Sequence, residues 1–305
     1  MSTLPKLIVI IGTNASGKSN LGIQLAKHYE GEIISADSRQ VFRGLDLGSG
    51  KVTPQEMHGV PHHLLDVCEP GDFFSMADFQ RMAYAAIDDI LSRGKLPFLV
   101  GGTGLYVESV VAGYLLSDKV PNLSYRAELE KLDTETLYAM LQKELPDTTI
   151  DPHNRNRVMR LLERLSDEDY QPPRREKRYE SLQLGVSWKR NVLQNRIEER
   201  LDRRMEEGMV SEVQALLSAG VNPDFLLGLG LEYRFITRYL LGDIQTPEEM
   251  RNLLNIAIRQ FAKRQMTWFR RDKSIHWLDM DGQPFEEAMG AIDAFIGGDK
   301  GIQHR

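Results

Sequence analysis

The residues GTNASGKS, Gly12 to Ser19, follow directly on the β-branched run KLIVII, and no other part of the chain restricts the fold so strongly. Gly12, Gly17, Lys18 and Ser19 fit the spacing G-x-x-x-x-G-K-[ST]. That loop turns successive backbone N–H groups, and the N-terminus of the helix after it, toward phosphate. A strand before and a helix after is the context the motif needs. Lys18 is then expected on phosphate oxygens and Ser19 on Mg²⁺, with Thr13, Asn14, Ala15 and Ser16 completing the cradle. The motif alone favours ATP or GTP.

The pattern around it alternates. GEIISADS reads as a second strand with Asp37 and Ser38 at its carboxyl end, and KLPFLVGG as a third. Between them, FSMADFQRMAYAAIDDILSRG has apolar residues at helical spacing and a glycine at its stop. Such alternation implies βαβ units, right-handed crossovers and a parallel sheet. From about Ser117 to Glu180 the chain becomes charged and helix-like, punctuated by Pro146, Pro152, Pro172 and Pro173, and strand candidates stop. LQLGVSW is strand-like and should rejoin the sheet. RIEERLDRRMEEGMVSEVQALLSAG follows as one helix or two, with Gly220 as a C-cap. Pro247 and two glutamates open PEEMRNLLNIAIRQFAKRQMTWFRRD, and basic residues crowd its end, as the helix dipole prefers. The expected class is α/β: a P-loop NTPase-like parallel sheet flanked by helices, with residues 1–116 and 181–305 as the core and 117–180 as a helical insertion domain.

No apolar stretch reaches the roughly 18 residues that span a bilayer, and no signal peptide is legible. Cys68 is the only cysteine, so no intramolecular disulfide can form. It reads as a small core residue, and a reducing, cytoplasmic location is expected. The formal net charge of −6 argues by itself against nucleic acid. Its distribution argues otherwise. Residues 153–204 carry 14 Arg+Lys against 9 Asp+Glu, and residues 258–273 carry 6 against 1, so the remainder is strongly acidic. Charge segregated in this way steers a polyanion to one face. Solvated helix faces laced with ion pairs would give the first stretch the same count.

Ligands of open α/β sheets sit beyond the carboxyl ends of the strands, where Asp37 is expected. A carboxylate there can hold Mg²⁺, accept a proton from a substrate, or merely cap a turn. Arg39, Arg43 and Lys51 add positive charge nearby. In VGGTGLY, Gly101, Gly102 and Gly104 permit close backbone approach and Thr103 offers a hydroxyl. His62 and His63 are adjacent and lack partners at ligand spacing, so a structural or RNA-facing role is preferred to a metal site. AKRQMTWFRR interleaves basic residues with Trp268 and Phe269, which suits an RNA backbone with stacked bases or an amphipathic helix with buried aromatics.

Taken together, GTNASGKSN, ADSRQVFRGLDLGSGK, GVPHHLLDV, VGGTGLY, RIEERLDRRMEEGMVSEV and AKRQMTWFRR resemble, in that order, the tRNA dimethylallyltransferases (tRNA isopentenyltransferases). The resemblance thins over roughly 117–180. It implies that the cradled phosphates belong to dimethylallyl diphosphate and leave as pyrophosphate. It implies transfer of the dimethylallyl group to the N6 amine of an adenine beside the tRNA anticodon. Asp37 would contact that amine, Thr103, Lys18 and Arg234 would attend the diphosphate, and Mg²⁺ would sit with Ser19. Contacts to tRNA are expected from Asp37, Ser38, Arg39 and Gln40, and from Arg155, Arg157, Arg160, Arg259, Lys263 and Arg264, with the insertion meeting the anticodon arm. The expected partners are the anticodon stem-loop and dimethylallyl diphosphate, with no membrane and a monomeric chain. The family's usual Gly-Tyr-Lys/Arg-Glu/Gln segment stands here as Glu232-Tyr233-Arg234-Phe235. The competing readings are a small-molecule kinase or ATPase, and a non-catalytic RNA-binding module on a P-loop scaffold.

Overall fold

The computed structural model describes residues 4–116, 122–167 and 174–297. In chain order the elements are β1 (Lys6–Ile11), α1 (Lys18–His28), β2 (Glu32–Ala36), β3 (His62–His63), α2 (Met76–Ser92), β4 (Pro97–Gly101) and α3 (Gly104–Val111). Three helices follow, α4 (Leu123–Glu130), α5 (Thr134–Glu144) and α6 (Arg155–Leu165). Then come β5 (Glu180–Ser187), α7 (Arg190–Glu206), α8 (Met209–Ser218), α9 (Pro223–Leu229), α10 (Leu231–Leu240), α11 (Pro247–Phe269), β6 (His276–Asp279) and α12 (Pro284–Gly297).

The strands pair in parallel throughout, in the order β3-β2-β4-β1-β5-β6. A strand covered on both faces reads as a continuous apolar run, and Leu7 to Ile11 of β1 are fully buried. Their alternation still sorts the two faces. Leu7, Val9 and Ile11 pack with Phe79, Ile87 and Ile90 of α2. Ile8 and Ile10 pack with Leu21 and Leu25 of α1 and with Ile292 of α12. Each such fully buried side chain contributes about 1.5–3 kcal/mol. A third core, including Leu201, Tyr233, Met250 and Leu254, holds helices α7 to α11 together. The register brings Ile11 level with Gly101 and Gly185, and Ala36 level with Gly101. The loops that leave β1, β2 and β4 therefore start side by side.

Local signals explain the helix ends. Ser75 and Asp78 form a reciprocal capping box at the start of α2. Thr246 caps α11 ahead of Pro247. α7 and α8 are two helices, parted where Gly208 takes φ 99°.

The chain divides into two compact units, 1–113 with 177–305, and 114–176. The smaller has its own core of Leu129, Leu137, Leu141, Val158, Met159 and Leu162. Its borders fall at 113 and 177 rather than at the expected 116 and 181. The reason is that Tyr179 is buried in the main core, and both it and Arg178 bond Asp88 of α2. The two ends of the small unit meet: Leu115 N–H donates to the Arg174 carbonyl at 2.9 Å, and Tyr114 bridges Arg175. The expected start at Ser117, and Pro172 and Pro173, lie outside the described residues. Among the described residues no helix is long and apolar enough to cross a membrane.

Candidate active site

The Gly loop leaves β1 as the spacing predicts. Ala15 and Gly17 have φ 60° and 87°, the left-handed conformation that turns neighbouring N–H groups toward one point. A Cβ on Gly12 would fall 2.6 Å from the Ser16 Oγ and 2.5 Å from Val186, so no larger residue fits. Neighbouring donors hold the loop's carbonyls. Lys18 Nζ reaches the Thr13 oxygen at 3.4 Å, Arg196 Nε the Ala15 oxygen at 3.0 Å, and Trp188 Nε1 the Ser16 oxygen at 2.8 Å. Gln265 of α11 joins two loops. Its Oε1 accepts from the Asn14 N–H at 3.1 Å and its Nε2 donates to the Gly102 oxygen at 2.9 Å.

Asp37 follows β2 directly and is buried. It lines one cavity with Lys18, Ser19, Ser35, Gln40, His62 and Gly101. Thr103, opening α3, accepts from the Ser38 N–H through its Oγ1 at 3.1 Å and so ties the β4 loop to the residue after Asp37. The expected tRNA contacts Arg39 and Gln40 turn inward. Arg39 is buried, its Nη1 2.7 Å from Glu232 Oε2 and its Nε 3.5 Å from Asp37 Oδ1. Gln40 Oε1 accepts from Ser35 Oγ, and its Nε2 donates to the Gly50 carbonyl.

Electrostatically this is a buried pool of positive charge. Burial lowers the Lys18 ammonium to about 8, with Asp37 pulling it up and Arg200, Arg39 and Arg204 pushing it further down. Burial likewise lowers Arg200 to about 9, against the upward pull of Glu232 and Asp37, and lowers Arg204. For Asp37, burial alone would raise the carboxyl, but the Arg39 guanidinium, the Arg39 N–H and Lys18 hold it below its ordinary value. Four cations, Lys18, Arg39, Arg200 and Arg204, thus face two carboxylates, Asp37 and Glu232.

Arg234 does not join them. It is exposed, and its Nε donates to the Leu227 carbonyl at 2.8 Å. Arg200 and Arg204 of α7 stand near Lys18 instead, and they line a second cavity with Asn14, Ala15, Glu232 and Ile258. Sequence reasoning missed Arg196, Arg200, Arg204, Trp188, Glu232 and Gln265. The arginines did leave a signal, since a spacing of four residues places 196, 200 and 204 on one helix face.

The predicted basic residues divide likewise. Arg259 pairs with Glu198 at 2.8 Å, and Arg251 pairs with Glu198 and Asp202, so both tie α11 to α7. Lys263 and Arg264 are exposed and line an open groove of about 500 Å³ with Gln260, Thr267, Trp268 and Arg271. The Arg271 guanidinium lies 3.8 Å above the Trp268 ring, while Phe269 is buried core. In the small unit, Arg157 and Arg160 are exposed, whereas Arg155 caps α4 by donating to the Glu130 carbonyl at 2.9 Å.

His62 and His63 form the edge strand β3. His63 Nε2 lies 2.8 Å from Glu32 Oε2, and burial lowers His62. Among the described residues no group of three or more His, Cys, Asp or Glu could hold a metal. Ser19 and Asp37 line one cavity and can each supply an oxygen to a cation held otherwise by phosphate and water.

The family model described as IPP transferase matches residues 40–272, and that described as isopentenyl transferase matches residues 5–69. A tRNA dimethylallyltransferase 2 of Shewanella sediminis is 46% identical over 294 residues, covering 92% of this chain and 96% of the relative. A tRNA dimethylallyltransferase 1 of Geotalea uraniireducens is 42% identical, covering 92% and 95%. The crystal structure of a tRNA isopentenylpyrophosphate transferase from Bacillus halodurans superposes with a TM-score of 0.73 at 40% identity, covering 96% of both chains. A eukaryotic dimethylallyltransferase, solved acting on tRNA, gives 0.80 at 27% identity, covering 96% of this chain and 80% of that one.

Proposed function

The chain belongs to the IPP transferase family, the tRNA dimethylallyltransferases, and from that premise we propose that it moves a dimethylallyl group from dimethylallyl diphosphate to the N6 amine of an adenine beside the tRNA anticodon. One observation carries the assignment: a buried surplus of positive charge at a phosphate nest, with one carboxylate in the same cavity. A diphosphate leaving group needs the first. An amine that must lose a proton needs the second.

The reaction forms a bond between N6 and the allylic C1 and breaks the C1–oxygen bond. The electron pair leaves on the diphosphate, where negative charge grows as it grows positive on the allyl group. The loop N–H groups, Lys18, Arg200 and Arg204 stand where the negative charge develops, and preorganised donors act most strongly at such a place. Asp37 takes the N6 proton, typically worth ~10²–10⁴-fold. Thr103 and Arg39 hold Asp37 and its neighbours in register. Mg²⁺, with Ser19 as its protein ligand, would neutralise part of the leaving charge. The base must be unstacked to enter, and the Lys263–Arg271 groove offers cations and an indole face for the RNA around it. The stem-loop as partner, a monomeric chain and a cytoplasmic location complete this reading.

The test is direct. Purified protein with unmodified tRNA and dimethylallyl diphosphate should yield adenosine heavier by C5H8. ATP turnover without prenyl transfer would return the site to the kinase reading.

A further inference from the structure

Glu232 is a buried acid in a site that has to hold an anion. It is the second residue of α10, where the family pattern has glycine, and its side chain is 4% exposed. Its Oε2 lies 2.7 Å from Arg39 Nη1 and its Oε1 4.0 Å from Arg204 Nη1. With Asn14, Ala15, Arg200 and Arg204 it lines the cavity beside the Gly loop. It is also fixed in place. The next residue, Tyr233, is fully buried and donates to Glu212 at 3.0 Å. Glu212 in turn accepts the N–H groups of Asp46, Leu47 and Gly48. The first turn of α10 therefore cannot carry the carboxylate away from the arginines.

We infer that Glu232 is a counter-charge that loosens the site's hold on pyrophosphate and so sets the rate of product release; the inference rests on the prenyl-transfer reading. The charge balance of the reaction leads to it. When C1–oxygen cleaves, the electron pair stays with the diphosphate, so the product carries one more negative charge than the ester did. The N6 proton passes to Asp37, which becomes neutral. At that moment the four cations face Glu232 alone among the site's two carboxylates. The pocket is at its most positive when its occupant is at its most negative. In a buried site such charges are weakly screened, and Glu232 offsets part of the cations' hold on the product.

The test compares Glu232→Gln with wild type by pyrophosphate inhibition, donor binding, single-turnover transfer and steady-state kcat. Glu232→Gln should lower the inhibition constant of inorganic pyrophosphate about tenfold and donor Kd by less, as expected for charges at low effective dielectric. Single-turnover transfer should persist while kcat falls, giving a burst. Glu232→Asp keeps the charge and should restore wild-type pyrophosphate inhibition. Glu232→Met keeps the side chain's length without its charge and should lower the inhibition constant in the same way, which keeps the inference testable if Glu232→Gln does not fold; an unchanged constant there overturns it equally. An unchanged or raised inhibition constant in Glu232→Gln, as a merely structural acid would give, overturns the inference. Absence of competition between pyrophosphate and dimethylallyl diphosphate in wild type would instead overturn the prenyl-transfer reading beneath it.

Discussion

Gln265 offers the sharpest test of how the site is held. Replacing it with methionine keeps its length and removes both amide bonds at once, to the Asn14 N–H and to the Gly102 carbonyl. Gln265 is 7% exposed, so water cannot easily replace the lost partner. Each bond is worth about 0.5–1.5 kcal/mol net, and each partner left bare in the interior costs about 1–3 kcal/mol. A loss of about 2–4 kcal/mol follows, or a fall in Tm of roughly 5–15 °C at about 2–4 °C per kcal/mol for a unit of this size. The kinetic effect should be larger than the residue's distance from the chemistry suggests. The amide sets the spacing between the Gly loop and the β4 loop that carries Thr103, and a misplacement of about 1 Å can cost ~10²-fold in rate. Single-turnover transfer with saturating donor and stem-loop, beside a melting curve, reads both. A melting temperature within about 2 °C of wild type, or a transfer rate within about threefold of it, would refute the staple.

Asp37→Asn should keep pyrophosphate binding but slow transfer by ~10²–10⁴-fold; a rate within a few-fold, with chemistry shown to limit, removes the base role. Binding of the anticodon stem-loop should weaken with salt by about 0.7–0.9 in log–log slope per phosphate neutralised. Lys263→Ala and Arg264→Ala should each flatten that slope by about one, whereas Arg259→Ala, whose guanidinium is spent on Glu198, should leave it unchanged. On the prenyl-transfer reading, Lys18, lowered to about 8 by burial, holds diphosphate as an ammonium, and the bound anion would raise it again. Pyrophosphate affinity should therefore fall as the pH rises through about 8, by up to about tenfold per pH unit, and titration calorimetry showing no loss there would contradict this.

Much of the fold was legible because the sheet writes itself into runs. KLIVII, EIISA and PFLVG are apolar and bounded by glycines or polar turns, and all three are strands. β3 was hidden because two histidines at an edge show no periodicity. At the site, the Gly loop and Asp37 were readable because their chemistry depends on local sequence. Arg200, Glu232 and Gln265 were not, because tertiary packing alone places them: Glu232 reaches Arg39 across 193 residues and Gln265 reaches Asn14 across 251. Arg39 and Arg259 show the other side of this. The resemblance offers Arg39, and the count of charges Arg259, as RNA contacts, and both are paired with glutamates that only the fold brings near.

The bond between Leu115 and Arg174 has an evolutionary consequence. It closes the small unit at its neck, where the chain departs from and returns to the larger one. Because the ends are already joined, lengthening a flexible loop of the small unit adds a closure cost of only about 0.6 kcal/mol for each doubling. The interval between can lengthen, shorten or change its helices without disturbing the register of β1 and β5. A loop of the small unit can thus grow at little cost while the Gly loop after β1 is left as it is.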